Sequence, residues 1–357
     1  MGQAVAMDYA PGPRGLDEVL YAVTDGIGRV RLNRPRALNA LTGAMIDDLS
    51  VTLDGWRDDA AVERVILDGA GERGLCAGGD VKEIRQLALV DPVAAADVWA
   101  REYALDALIA TFPKPVEARM NGIVMGGGLG LAGYAADRIV FADTRIAMPE
   151  TVIGFFPDAG ITHLLARAPG ELGTYLALTG ATIGPAEAVL VGLADRYAAP
   201  ESRAAGRSAT EQPAAGTPDA GSFPAEAPDV EPGLERDRRW IDECFLGNDA
   251  AVIVARLRDH AEPRARECAA DLAARSPFAV AVALERVRRA ASEPTVVESL
   301  AVDTALAYAF MHRSDFAEGV RARVVDKDNT PHWRHTSLTE VSRGEVLDAF
   351  AAAPTVS

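Results

Sequence analysis

Two glycine-rich segments constrain this chain more than any other feature. Cys76-Ala77-Gly78-Gly79-Asp80 and Met125-Gly126-Gly127-Gly128-Leu129-Gly130 each stand between a short apolar run and a stretch that reads as helix. Glycine reaches positive φ at little steric cost and lets a ligand or a second backbone approach closely. A helix N-terminus just beyond adds unpaired N–H groups and a partial positive charge. The order strand, glycine turn, helix therefore recurs. It predicts either stacked ββα units or a doubly wound sheet, and periodicity does not choose between them.

Around these turns the chain alternates short strands with helices. Val19–Val23 and Arg29–Leu32, separated by Asp25-Gly26-Ile27-Gly28, read as a hairpin. Thr42 is placed to cap a helix carrying Met45, Leu49, Leu53 and Trp56 at helical spacing. Arg64–Asp68 and Val116–Met120 read as strands, and Ala94–Phe112 as a helix that Pro113 ends. Arg138–Phe141 and Arg145–Met148 are expected to pair with each other around Asp143-Thr144. From 199 to 233 the composition turns to Ser, Ala, Pro, Gly, Thr and Glu, too few large apolar groups to offset ordering entropy. The expected organisation is thus an α/β core over 1–198, a low-complexity linker or insertion over 199–233, and a helical region over 234–357, with Trp240–Ala290 and Val296–Phe310 helical.

Charge and composition narrow the function classes. Thirty-six Lys and Arg against 52 Asp and Glu give a net charge of −16, which disfavours nucleic acid and anionic membranes as partners. No apolar run approaches the ~18 residues of a membrane span. Residues 1–20 lack the basic-then-apolar order of a signal peptide, and Asp8, Asp17 and Glu18 argue against a transit peptide. Cys76, Cys244 and Cys268 cannot all pair and show no metal-ligand spacing, so no metal is expected and the cytoplasm is the natural compartment.

The chemistry is expected near the glycine turns, where two amides converging on one carbonyl oxygen would form an oxyanion hole. Tight turns and helix packing account for one such cluster as well as a ligand does, and the repetition tilts the balance toward function. Gly128, Gly130 and Gly133 also match G-x-G-x-x-G, with Glu150 near the spacing of a ribose-binding acid. Pro149 weakens that reading, because the acid should end a strand and proline removes a ladder donor. Glu150 and Asp158 lie among Ile153, Phe155 and Phe156, and carboxyls in apolar surroundings gain raised pKa values suited to acid–base work. Solvated loop acids or a helix cap are the competing account. His163 is a weaker candidate, and Cys76 has no neighbouring histidine to activate it.

At these residues the sequence resembles the crotonase (enoyl-CoA hydratase/isomerase) superfamily and, within it, the 3-hydroxyisobutyryl-CoA hydrolases. The likeness runs from Asn33-Arg34-Pro35 and Leu38-Asn39-Ala40-Leu41, through both glycine turns and Met148-Pro149-Glu150-Thr151…Pro157-Asp158, to Glu318-Gly319-Val320-Arg321 and Trp333. It implies a crotonase-like spiral of ββα units followed by a C-terminal helical region. It further implies that Gly79 and Gly127 hold a thioester oxyanion, that Glu150 is the catalytic carboxylate with Asp158 its partner, and that Glu102 lines the pocket. Ala77, Asp80 and Gly126 fall on substrate-binding positions.

The implied substrate is a short 3-hydroxyacyl-CoA, foremost 3-hydroxyisobutyryl-CoA of valine catabolism, with no separate cofactor because coenzyme A belongs to the substrate. Homo-oligomerisation is left open. Hydratases of the superfamily carry a glutamate where this chain has Gly130, so the paired acids here are Glu150 and Asp158. Ile161-Thr162 departs from the glycine-rich continuation usual after the aspartate. Arg34, Arg36 and Lys327 are candidates for the coenzyme A phosphates. The alternatives are a hydratase or isomerase of the same superfamily, or a protein that binds acyl-CoA without turnover.

Overall fold

The computed structural model describes residues 8–198 and 233–351. The linker expected over 199–233 lies outside the described residues except for Gly233, which opens a helix. The chain runs β1 (Ala10–Pro11), β2 (Val19–Thr24), β3 (Ile27–Leu32), α1 (Gly43–Arg57), β4 (Arg64–Gly69), β5 (Gly74–Cys76), α2 (Val81–Ala88) and α3 (Pro92–Ala110). It continues through β6 (Val116–Met120), β7 (Ile123–Met125), α4 (Gly127–Gly133), β8 (Asp137–Val140) and β9 (Arg145–Ala147) into a 3₁₀ turn, Glu150–Ile153. Then come α5 (Ile161–Leu165), α6 (Leu172–Thr179), α7 (Pro185–Leu190) and β10 (Arg196–Tyr197). The C-terminal helices are α8 (Gly233–Phe245), α9 (Ala250–Asp259), α10 (Pro263–Ala273), α11 (Pro277–Ala290), α12 (Val296–Met311), α13 (Ser314–Val320) and α14 (Arg343–Ala351).

Local chemistry explains the ends of these elements. Thr42 Oγ1 accepts the Met45 N–H at 3.2 Å and starts α1. Asp91 does the same for Ala94 at 3.0 Å, with Pro92 at the first helical position of α3. Asp249, Pro263, Ser276 and Pro277 break the long helical stretch after 240 into separate helices.

The strands form two sheets, not one. Seven run in the order β1-β2-β3-β4-β6-β8-β10, and three short ones in the order β5-β7-β9. From β4 onward each turn of the chain gives one strand to the large sheet and the next to the small one: β4 then β5, β6 then β7, β8 then β9. All these pairings are parallel. This is the spiral of ββα units and not a doubly wound sheet.

One expectation fails here. Arg138–Phe141 and Arg145–Met148 do not pair with each other, because β8 joins β6 and β10 while β9 joins β7. Thr144, fully buried, holds that corner: its hydroxyl donates to the Met120 carbonyl and accepts the Phe141 N–H.

One apolar core extends from Val19 to Ala349 and takes in both sheets and the C-terminal helices. Trp99 of α3 stacks on Phe155 at 5.2 Å, and Phe155 meets Phe310 of α12 at 5.2 Å and Phe316 of α13 at 5.6 Å. The helical region is thereby packed onto the segment that follows β9.

Candidate active site

The small sheet brings the functional segments together. Its strands are parallel, with Cys76 beside Val124 after a register shift between Gly74 and Cys76, and Met125 beside Ala147. Parallel neighbours lie ~4.8 Å apart, so the segments leaving their C-terminal ends emerge side by side. Those segments are Ala77–Asp80, Gly126–Gly127 and Met148–Glu150. A Cβ built on Gly78 would stand 3.4 Å from the Gly127 nitrogen and 3.5 Å from the Gly126 Cα, so the two glycine turns touch. Gly78 (φ +99°) and Gly126 (φ +51°) both adopt backbone that a side chain would resist.

The remaining amides of the first turn are committed. Ala77 N–H donates to Leu38 O at 3.0 Å and Asp80 N–H to Leu41 O at 2.7 Å. Among the described residues, the N–H groups of Gly79 and Gly127 meet no backbone acceptor. Gly127 opens α4, where unpaired amides and the positive end of the helix coincide.

Four carboxyls crowd this place. A Cβ on Gly126 would lie 3.0 Å from Glu150 Oε1, and one on Gly127 would overlap Glu102 Oε1 outright. Helix α3 supplies Glu102, Tyr103 and Asp106, all buried and only one helical turn apart. The Tyr103 hydroxyl donates to Asp158 Oδ2 at 2.6 Å. Asp106 stands beside Gly130, its Oδ2 2.8 Å from where a Cβ there would be. The four are 0% (Glu102, Asp106), 2% (Asp158) and 7% (Glu150) exposed, so they are not solvated loop acids. Among the described residues, both oxygens of Glu102, both of Asp106, and Glu150 Oε2 find no hydrogen-bond partner.

Carboxyls buried without a cation favour the protonated form. Burial pushes Glu102 and Glu150 well above the usual carboxyl range, and the nearby Asp158 adds to this. Asp106 is raised by burial and then by Glu102. Asp158 is pushed up to about 7 by burial, with the Tyr103 hydrogen bond working in the opposite direction. The site thus holds acids that favour their protonated forms, Asp158 among them titrating near neutrality.

Most sequence candidates meet here: Gly79, Gly126, Gly127, Glu102, Glu150 and Asp158, with Ala77 in the adjoining turn. Asp80 is occupied otherwise, capping α2 and pairing with Arg34 at 3.2 Å. Arg34 also pairs with Glu18 at 3.0 Å, whereas Arg36 and Lys327 are exposed. His163 is influenced by Arg167, Glu293, Arg286 and Glu298, none of them a site acid. The Cys76 thiol is buried, donates to Asn39 O at 3.1 Å, and is pushed up to about 12 by burial, as befits a structural residue. Gly128, Gly130 and Gly133 lie inside α4 against Cys76, Asp106 and Ile161, so close packing accounts for their spacing and the dinucleotide reading falls. The sequence reading does not reach Tyr103 or Asp106. The i, i+4 spacing puts Asp106 on the same helix face as Glu102, a pattern common on helices that marks no site until the fold is known, and nothing local marks Tyr103. Among the described residues no group of His, Cys, Asp or Glu is arranged to hold a metal ion.

A family profile described as enoyl-CoA hydratase/isomerase matches residues 27–350. The chain belongs to this family. Among curated members, it is 34% identical over 346 residues to a protein of Danio rerio named 3-hydroxyisobutyryl-CoA hydrolase, mitochondrial, covering 94% of this chain and 90% of that one. The Homo sapiens protein of the same name is 32% identical over 349 residues, covering 94% and 88%. Among solved structures, one named a carnitinyl-CoA dehydratase, from Mycobacterium thermoresistibile, superposes with a TM-score of 0.84 at 40% identity over 95% of this chain and 98% of that one. Another, named an enoyl-CoA hydratase, from Rhodobacter sphaeroides 2.4.1, gives 0.84 at 38% over 94% and 97%. The mitochondrial location in the relatives' names lends no support to a cytoplasmic one here. No helix among the described residues is long and apolar enough to cross a membrane.

Proposed function

We propose that this family member hydrolyses the thioester of a short 3-hydroxyacyl-CoA, foremost 3-hydroxyisobutyryl-CoA, a step of valine breakdown. The observation that carries the reading is the pairing of two touching glycine turns, each with an unpaired amide, with carboxyls pressed against the second turn. The Gly79 and Gly127 N–H groups receive the carbonyl oxygen as it becomes an oxyanion, a contribution of ~10²–10³ in rate per donor. Glu150, in its ionised form, then acts in one of two ways. As a general base it takes a proton from water while the water oxygen bonds to the carbonyl carbon; the C–S bond breaks and the thiolate leaves as free coenzyme A. As a nucleophile it bonds to that carbon itself, expels the thiolate, and leaves a mixed anhydride that water cleaves. Asp158, steadied by Tyr103, orients the substrate hydroxyl or the attacking water. Glu102 walls the pocket beside Gly127.

A hydratase or dehydratase is the second reading, favoured by the names of the two structures at 38–40% identity. Gly130 counts against it, since the second carboxyl of a hydratase has no side chain to come from. A thiol-release assay over a panel of acyl-CoAs, on wild type and Glu150→Gln, tests the proposal. Free thiol from 3-hydroxyacyl-CoA without consumption of an enoyl-CoA supports hydrolysis; loss of enoyl absorbance without thiol release supports the second reading. Oxygen-18 from water appearing in Glu150 after one turnover identifies the anhydride route.

A further inference from the structure

Asp158 rides on a turn that is left-handed at two consecutive residues, Ala159 (φ +53°) and Gly160 (φ +72°). Glycine takes this backbone freely; alanine does so only where its surroundings over-determine it. The surroundings here reach Gly160 from both sides. Its N–H donates to Asp303 Oδ2 at 2.8 Å, and its carbonyl accepts the Tyr134 hydroxyl. A Cβ on Gly160 would lie 3.0 Å from Val296 and 3.2 Å from Leu300, so α12 also closes over the turn.

Asp303 belongs to α12 and is itself held. Its other carboxylate oxygen takes the Nε of Arg286, from α11, at 2.5 Å, and neither side chain is exposed. Arg286 is fixed further by Glu293 at 2.9 Å and by the Ser299 carbonyl at 3.0 Å. A buried ion pair is weak evidence for stability, because apolar residues of similar volume often do as well. This pair does something apolar residues cannot: it presents an oriented acceptor to one amide, 143 residues away in sequence and two residues beyond a site acid.

We infer that the Arg286–Asp303 pair is a positioning device: by gripping Gly160, it fixes the turn that aims the Asp158 carboxyl between Tyr103 and the substrate. The inference rests on the proposed function, in which Asp158 orients the reacting groups. Asp303 and Arg286 touch no substrate. Because misplacing a reacting group by ~1 Å costs up to ~10²-fold, a loosened turn acts on turnover more than on binding.

The test compares Asp303→Asn, which cannot serve both Arg286 and Gly160, with Tyr134→Phe, which removes one hydroxyl from a half-buried ring. Asp137→Asn, breaking the remote pair with Arg196, controls for lost stability. Kinetics on 3-hydroxyacyl-CoA and amide hydrogen exchange over 158–161 are read together. Expected are a fall in kcat of about tenfold to a hundredfold with KM changed less than about threefold, faster exchange in both clamp variants, and neither effect in Asp137→Asn. Should Asp303→Asn not fold, Tyr134→Phe carries the test. Unchanged exchange, or unchanged kcat despite faster exchange, overturns the inference. Asp158→Asn is run beside them. A loss there with none in the clamp variants overturns the positioning role alone; no loss there withdraws Asp158 from the proposed mechanism and this role with it.

Discussion

Replacing Gly127 by alanine is the sharpest perturbation of the proposed site. Gly127 has ordinary helical backbone, so conformational strain is not the difficulty. The difficulty is Glu102: a Cβ would stand 2.8 Å from its carboxyl carbon and overlap Oε1, where ordinary contact begins at 3.4 Å. The carboxyl group must retreat by over ~1 Å or push the amide of residue 127 aside, and a displacement of that size costs ~10²-fold. Loss of one oxyanion donor costs a similar ~10²–10³, or about 3–4 kcal/mol. The expected result of Gly127→Ala is therefore a fall in kcat of about a hundredfold or more by thiol release, with the fold intact by circular dichroism. The double variant Gly127→Ala/Glu102→Ala separates the causes, because it keeps the methyl and removes what it strikes. Its activity should match that of Glu102→Ala alone, a coupling of about 2.7 kcal/mol or more. A Gly127→Ala enzyme within threefold of wild type would refute the placement of both groups.

The other expectations follow from the same four acids. Glu150→Gln should lower kcat by ~10²–10⁴ while acyl-CoA still binds, checked by steady-state kinetics and calorimetry. Asp106→Ala removes a buried carboxyl with both oxygens unpartnered among the described residues, so it should stabilise by ~1–3 kcal/mol, each kcal/mol worth roughly 1–2 °C in Tm at this chain length. A lower Tm would contradict the missing partners. An acid held near 7 in the folded protein stabilises it fully below the unfolded value near 4, and that stability drains away as pH rises through about 7. Thermal melts from pH 5 to 8 should fall, and fall less steeply in Asp158→Asn. Gly130→Glu should confer no hydration, because its Cβ would stand 2.8 Å from Ala159 Cβ and from Asp106; an absorbance assay with an enoyl-CoA checks this.

Some of this molecule was legible in the chain and some was not, for physical reasons. The β2–β3 hairpin, the Thr42 cap and the end of α3 before Pro113 are local, set by residues a few positions apart, whereas α3 starts at Pro92, two residues before the Ala94 that the sequence suggests. The partner of a strand is not local. Arg138–Phe141 and Arg145–Met148 look like two arms of a hairpin, yet a buried threonine turns the chain from one sheet to the other between them. Strands of three residues, as in the small sheet, are too short for any period to register. The glycines, Glu150 and Asp158 could be found because they lie in compact motifs. Tyr103 and Asp106 look like an ordinary stretch of helix until the fold sets α3 against the small-sheet ends, and Asp303 gives no hint of a partner 143 residues earlier.

Position 130 shows what the fold adds to a residue that could already be read. In sequence, Gly130 says only that a carboxyl is missing. In the structure its surface is covered by Asp106, which brings a carboxyl from α3 to the spot a side chain at 130 would enter. Burial and then Glu102, Asp158 and Asp303 raise Asp106, whereas burial, Asp158 and then Glu102 raise Glu150. Asp106 is thus not among the groups that act on Glu150. The bare Cα at position 130 therefore makes room for a buried acid from α3, and in the proposed mechanism Glu150 works with Asp158. It is at this junction of α3, α4 and the Asp158 turn that the side chains of relatives with different names should be compared first.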